Sequence, residues 1–217
     1  MFDREFVEMF MRGYLMRVLA AAAVCFLLAF PGWAQDYRFD ASGGATYLFP
    51  RESDGNNRTL RPTQQIGYVA SLRMKLSERH AIEVDWGHAK NHQQYLSAGF
   101  NYRIGSTVND FTGAYVFSLP MKIHKAQPFV LAGAGVVTFN PDNVTIDGNP
   151  AFIGELRQTR AAFVYGGGFD YPVYWRLAVR AQYRGLLYRA PDFGVSTLFT
   201  GANGHTAEPS VGIVFRF

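Results

Sequence analysis

The sequence predicts an all-β fold: an eight-stranded antiparallel barrel that crosses a membrane with its strands. Three observations carry this. Beyond residue 35, apolar and polar residues alternate with a period of two through most of the chain, as they do in strands whose two faces meet different surroundings. The connections alternate between tight and long, as they do in transmembrane barrels. Tyr, Phe and Gly are plentiful, at 12, 19 and 22 residues, which favours strands broken by turns, and no apolar run beyond residue 35 reaches the roughly 20 residues of a membrane helix.

The chain opens with a segment of a different kind. "MRGYLMR" supplies positive charge at Arg12 and Arg17, Val18 to Phe30 is apolar, and Gly32 and Ala34 are small. This is the order of a secretory signal peptide. It predicts a cleaved leader over residues 1–34, with the cut between Ala34 and Gln35, and a barrel domain over 35–217. Asp3, Glu5 and Glu8 do not suit the leading part of such a segment, so Met11 is an alternative start. The sole cysteine, Cys25, lies within the apolar run. Val24 before it and the apolar residues after it argue against lipidation, and the mature chain then holds no thiol for a disulfide or a metal.

Eight strands follow, over about 36–49, 64–76, 80–89, 108–119, 128–139, 159–171, 174–189 and 206–217. In the first, Tyr37, Phe39, Ala41, Ala45, Tyr47 and Phe49 alternate with Arg38, Asp40, Ser42 and Thr46. In the second, Ile66, Tyr68, Ala70, Leu72 and Met74 alternate with Gln65, Ser71, Arg73 and Lys75. The third sets Ile82, Val84 and Trp86 against Glu83 and Asp85. The fourth sets Phe111, Tyr115 and Phe117 against Asp110, Thr112 and Ser118. The fifth is apolar on both faces, which leaves its facing open. The sixth sets Phe163, Tyr165, Phe169 and Tyr171 against Arg160, Gly166, Gly168 and Asp170. The seventh sets Leu177, Val179, Ala181 and Tyr183 against Arg176, Arg180, Gln182 and Arg184. The last sets Val211, Ile213, Phe215 and Phe217 against Ser210, Gly212 and Arg216. Residues 94–104 alternate too, but an odd strand would break the even number of such barrels, so they are assigned to a loop, as an extension or a hairpin. Tight turns are expected at 77–80 and 172–174, a moderate one over 120–127, and long loops over 50–63, 90–107, 140–158 and 190–205.

Alternation does not say which face is inside. A soluble barrel would bury the apolar face. Here the polar face is rich in glycine and small residues, which suits a narrow interior, and the other face carries large aromatics and almost no charge. A Lys or Arg facing lipid at mid-membrane costs roughly 2–4 kcal/mol. Aromatics gather near the tight turns: Tyr37, Phe39, Phe169, Tyr171, Tyr174, Trp175, Phe215 and Phe217, as in an interfacial girdle. The polar face is therefore assigned to the lumen and the apolar one to lipid. Lipid cannot satisfy free backbone N–H and C=O groups, so the first and last strands must pair.

On these residues the chain resembles the small eight-stranded outer-membrane barrels of the OmpA/OmpX-like group, over nearly all of 36–217. The most specific motif is the last strand, Val211, Ile213, Phe215 and Phe217. The resemblance implies an outer-membrane location, short periplasmic turns, long extracellular loops, a monomer, and reading of that strand by the barrel assembly machinery. Outer-membrane lipids, lipopolysaccharide and periplasmic chaperones are the partners it implies. No peptidoglycan-binding segment follows the barrel, so a tethering role is not expected.

Candidate luminal charges are Arg38, Asp40, Arg73, Lys75, Glu83, Asp85, Arg160, Asp170, Arg176, Arg180, Arg184 and Arg216. They read as an interior plug of ion pairs, which a barrel this narrow needs, ahead of a solute path. "YGGGFDY", Tyr165 to Tyr171, lacks the lysine and helix of a phosphate loop and reads as a bend or a niche for a neighbouring aromatic. His88 and His92 fall in an expected outer loop without a third metal ligand. The triplets beginning at Asn57 and Asn143 match a glycosylation pattern that is short enough to occur by chance. Some related barrels act on lipid through a His-x-Ser pair. Two residues after the histidines stand Ile82, Lys90, Gln94, Ala126 and Ala207, which removes that motif. The net charge of +4 is spread along the chain, unlike a nucleic-acid site. The leading expectation is a non-enzymatic barrel, with no cofactor and no wide pore, whose outer loops perform any recognition of an unidentified partner. The alternatives are a lipid-modifying enzyme on the same scaffold and a soluble barrel for an apolar ligand.

Overall fold

A computed structural model describes residues 37–97, 99–121 and 123–217. The signal segment, Cys25, Met11 and the Ala34–Gln35 junction lie outside the described residues. The described chain forms β1 (Phe39–Pro50), β2 (Ser53–Gly55), β3 (Arg58–Pro62), β4 (Gln65–Lys75), β5 (His80–Ser97), β6 (Phe100–Ser118), β7 (Gln127–Ile146), β8 (Asn149–Pro150), β9 (Gln158–Tyr174), β10 (Leu177–Arg189) and β11 (Asn203–Arg216), with a 3-10 turn at Ser196–Leu198.

Eight of these strands are the staves of a closed antiparallel barrel, in the order β1, β4, β5, β6, β7, β9, β10, β11. The closing seam is β1 against β11, with Asp40 opposite Arg216 and Ala45 opposite Val211. The seam is interrupted once. Pairing stops at Thr46 with Ser210 and resumes at Phe49 with Ala207, around Pro209, which has no N–H to give.

The outer surface is apolar: Ile66, Leu72, Trp86, Phe111, Tyr115, Phe163 and Ile213 are all exposed to it. Tyr68 and Trp86 meet edge to face on it, 5.6 Å apart. The inner surface is divided. Strands β1, β4, β5, β10 and β11 supply buried charge to it. From β6, β7 and β9 it receives mostly apolar residues: Ala114, Val116, Phe129, Leu131, Val137, Phe139, Ala162 and Val164. This explains the two-sided apolar character of β7, whose inner face meets the apolar wall while Val130 and Val136 face outward. Gly168 gives the Phe129 ring its space, since a Cβ there would stand 3.0 Å from the ring and 2.3 Å from the Ala181 carbonyl.

The structure corrects several expected boundaries. Residues 94–104 are neither a ninth strand nor a separate loop hairpin. They are the end of β5 and the start of β6, paired from Gln93–Ile104 to Ser97–Phe100. Most of the expected loop 90–107 is therefore sheet, in β5 up to Ser97 and in β6 from Phe100, and His88 and His92 are strand residues. The expected loop 140–158 begins as the end of β7, then turns through Asp147 and Gly148, both at positive φ, into β8. The expected tight turn at 172–174 is the end of β9. The reversal is made by Trp175 and Arg176, with Tyr174 opposite Leu177 and a bulge that leaves Ala178 opposite Pro172.

Strands β5, β6 and β7 have 18, 19 and 20 residues, against 12 and 11 for β1 and β4. About 9–11 residues cross a membrane. The three long strands thus overhang by roughly eight residues, about 25 Å along the strand at ~3.3 Å per residue. The β2–β3 hairpin joins this overhang through β3, where Leu60 pairs with Tyr95.

Candidate functional site

The lumen holds two charged layers and, above them, an apolar roof. The lower layer centres on Arg180 of β10. Its Nε and Nη2 donate to the two oxygens of Asp170 at 2.7 and 3.0 Å, its Nη1 to Glu83 at 2.9 Å, and its Nη2 also to Asp40 at 3.0 Å. Arg73 donates from Nε to Glu83 at 2.7 Å and reaches Asp170 at 3.4 Å. Gln182 donates to the other Glu83 oxygen at 3.1 Å. Arg216 lies 3.7 Å from Asp170. Both inner arginines lie over the Phe129 ring, at 4.3 and 5.6 Å. Three carboxylates thus meet three guanidiniums, and every principal strand except β6 contributes. Charge this deeply buried is tolerated only with partners and hydrogen bonds.

The upper layer has a different balance. Arg184 donates to Glu208 at 2.6 Å and lies 3.1 Å from Asp110 and 3.6 Å from Asp85. Thr112 donates to Asp85 at 3.4 Å. One guanidinium serves three carboxylates, all buried. Gly87 faces Asp110 across the ladder, and a Cβ there would lie 1.8 Å from its carboxylate.

The roof is the segment between β10 and β11. Phe193 and Leu198 are fully buried, with Leu60, Tyr95, Ile104, Phe139 and Val144 in the same apolar cluster. Tyr95 donates its hydroxyl to the Pro191 carbonyl at 2.6 Å. The Gln158 carbonyl oxygen accepts the N–H groups of Asp192 and Phe193, and its amide donates to Asp192 at 2.6 Å. Arg160 donates to Asp192 at 3.0 Å. Partial burial would raise the Asp192 carboxyl. The hydrogen bonds from Gln158 and the Gly194 N–H, with the Arg160 charge, outweigh it and hold the group below the usual carboxylate range. From β3, Arg58 donates to the carbonyls of Ser196 and Phe199, both at 2.7 Å.

These contacts sort the luminal charges named from sequence. Asp40, Arg73, Glu83, Asp170, Arg180 and Arg216 meet in the lower layer, and Asp85 and Arg184 in the upper. Arg38 is not a luminal charge: it is exposed and precedes β1. Arg176 is not one either, because it lies in the two-residue β9–β10 turn over the Trp175 ring, 4.4 Å away. Arg160 serves the roof. Lys75 lies at the short-turn mouth. Sequence reading placed Asp110 on the polar face without naming it among the luminal charges, and missed Glu208, although it shares parity with its luminal neighbour Ser210. Phe129 and Asp192 carried no such signal. Of the named aromatics, Phe39, Phe169, Tyr171, Tyr174 and Trp175 are exposed on or beside the short-turn ends of β1, β9 and β10. Phe215 is half-buried at the seam, opposite Ala41 and Leu177. Val211 and Ile213 face outward.

Three of the five histidines have side-chain partners. His80 meets the Tyr115 hydroxyl. His88 bonds Asn109 at 2.8 Å and stacks on Tyr68. His205 bonds the Tyr165 hydroxyl at 2.9 Å.

A closed antiparallel barrel with an apolar outer belt and a filled, charged interior defines an integral membrane β-barrel protein. The family model described as the outer membrane protein beta-barrel domain matches residues 18–217, and the chain belongs to that family. It is accordingly an outer-membrane protein, with its short turns periplasmic and its long loops extracellular. Among solved structures it is similar to Neisserial surface protein A, with a TM-score of 0.52 and 14% identity over 82% of this chain and 97% of that one. It is similar to AlkL, with a TM-score of 0.53 and 11% identity over 87% and 95%. It is also similar to OprG of Pseudomonas aeruginosa, with a TM-score of 0.50 and 13% identity over 82% and 95%. At these identities the likeness is one of fold. No curated protein sequence matches the chain.

Proposed function

We propose that this barrel anchors an ordered extracellular sheet for surface recognition and is not a wide pore. The observation that carries this reading is the pairing of a filled lumen with an overhang. Two ion-paired layers and the Phe193–Leu198 roof occupy the interior, while β5, β6 and β7 continue about 25 Å past the membrane crossing at ~3.3 Å per residue. A display role uses the outer end of such a barrel and has no need of its interior. The overhang is paired sheet, so a partner would meet a preformed surface and would pay little ordering entropy. In the same reading the protein is a monomer in contact with lipopolysaccharide. The assembly machinery takes hold of its last strand, including Val211, Ile213, Phe215 and Phe217.

The test shortens the overhang and leaves the barrel alone. Residues 93–104 are replaced by a two-residue Asn-Gly turn, and surface level and heat-shifted mobility are matched to wild type. Cells displaying each protein are then passed over immobilised matrix proteins and glycans. Retention of wild-type cells above non-expressing cells, lost in the shortened variant, is the expected result. Equal retention of both proteins on every surface that holds wild type would contradict the display reading.

A further inference from the structure

The periplasmic mouth of the lumen adds further cations to the outer edge of the plug. A cavity of about 240 Å³ opens there, lined in part by Arg73, Lys75, Arg79, Lys125 and Arg216 against Asp40, Glu78 and Asp170. Five cations face three carboxylates. Asp40 and Asp170 are already engaged by Arg180, whose charge is offset by Glu83 behind it. The lining therefore holds an excess of positive charge. Among the described residues, no hydrogen bond or ion pair engages the side chain of Arg79 or Lys125. The Nε of Arg216 is buried with no hydrogen-bond acceptor, and its guanidinium reaches Asp170 only at 3.7 Å. A buried guanidinium N–H without an acceptor is costly unless something fills the place.

Neutral groups add to the pattern. Ser77 Oγ accepts the backbone N–H groups of Arg79 and His80, so its own proton is available to a ligand. Ser118 lines the same wall. The cavity is smaller than the roughly 300–1,000 Å³ of drug-sized ligand sites, so it suits a small ion or one headgroup. Converging guanidinium, ammonium and hydroxyl donors are the chemistry that recognises tetrahedral oxyanions.

We propose that this periplasmic vestibule is a phosphate-binding site, with Arg79, Lys125 and Arg216 as its charged donors and Ser77 as its neutral one. The same chemistry fits inorganic phosphate and the phosphate of an inner-leaflet lipid headgroup.

The test uses the full barrel, refolded in a zwitterionic detergent and titrated with inorganic phosphate at constant ionic strength. Amide chemical shifts report binding. Wild type should show saturable changes confined to residues 76–80, 118, 125–127 and 216. Arg79→Gln with Lys125→Gln, both at exposed positions, should weaken the apparent Kd by at least about tenfold with the heat-shifted mobility unchanged. Shifts that stay linear in phosphate, or an unchanged Kd in the double variant, would overturn the site. A second arm repeats the titration in nanodiscs of phosphatidylcholine alone or with phosphatidylglycerol. Weaker phosphate binding in the anionic discs identifies a lipid headgroup as the occupant. Equal binding in both identifies free phosphate. Either result supports the site.

Discussion

The two ends of the lumen are closed by opposite means. At membrane level, closure rests on charge. Arg180 and Arg73 gather Asp40, Glu83 and Asp170 from three other strands, and the arrangement holds because each charge would be far costlier alone. At the extracellular end, closure rests on apolar burial. Phe193 and Leu198 fold in over Tyr95, Ile104 and Phe139, as in the core of a water-soluble domain. Lipid explains the difference. At membrane level β1, β4, β5, β10 and β11 turn their large apolar side chains outward, so beside the apolar wall of β6, β7 and β9 they fill the narrow interior with polar groups that must satisfy one another. Above the membrane both faces leave lipid, and apolar residues regain a reason to point inward.

The largest expected effect comes from breaking the charged layer. Arg180→Met leaves three buried carboxylates to Arg73 and Arg216, and unfolding in urea should show a loss of about 3–5 kcal/mol. Adding Asp170→Asn to Arg180→Met should recover part of that loss, because the pair is coupled. If Arg180→Met alone proves neutral, the layer is not what orders the membrane-level lumen.

The roof should respond more locally. Phe193→Ala removes a fully buried ring, and core truncations of this kind cost about 3–5 kcal/mol. Here the loss should fall mainly on opening of residues 190–202. Proteolysis in that segment should accelerate while the urea midpoint of the barrel moves little. A matching collapse of the whole barrel would show that the two ends are one cooperative unit.

Phe215→Asp sharpens the comparison at the seam, where β11 pairs with both β1 and β10. The yield of heat-modifiable protein in the outer membrane should fall several-fold, while the stability of what does assemble changes by about 1 kcal/mol, since a charge near the interface is cheap. Normal yield would remove the case for this strand as an assembly signal.

The smallest effect is one of pH. The Asp192 carboxyl titrates below its ordinary range in the folded protein. Its contribution to roof stability is present above the unfolded-state value of about 4 and is lost as pH falls through the lower folded value. Protease resistance of 190–202 should therefore decline in acid below about pH 4, and Asp192→Asn should flatten that decline.

The sequence was most legible where lipid imposed contrast. Ile66 to Met74 and Ile82 to Trp86 alternate against charge, so their strands and their facing could be read directly. The contrast fades above the membrane. Lys90, His92 and Gln94 face outward into water there, opposite the inward Asn91 and Gln93, and polar against polar shows no period. For that reason residues 90–93 read as loop, while 94–104 alternate and are set aside only to keep the strand number even. Strand β7 was ambiguous for the reverse reason, because Phe129 and Leu131 line an apolar inner wall while Val130 faces lipid. Facing could be inferred from parity, but partners could not. That Arg180 takes Asp170 and Glu83, and Arg184 takes Glu208, depends on stagger between strands, which no single strand encodes. The inward turn of Phe193 is set by Gln158 and Tyr95, far away in sequence.

The central claim, that charge below and apolar packing above close one lumen, is tested most directly by single-channel recording of the refolded barrel in planar bilayers. The account predicts that wild type gives no large, stable, porin-like conductance in molar salt. Stable openings of that size from the wild-type monomer would mean that the layers and the roof do not close the lumen, and would contradict the account.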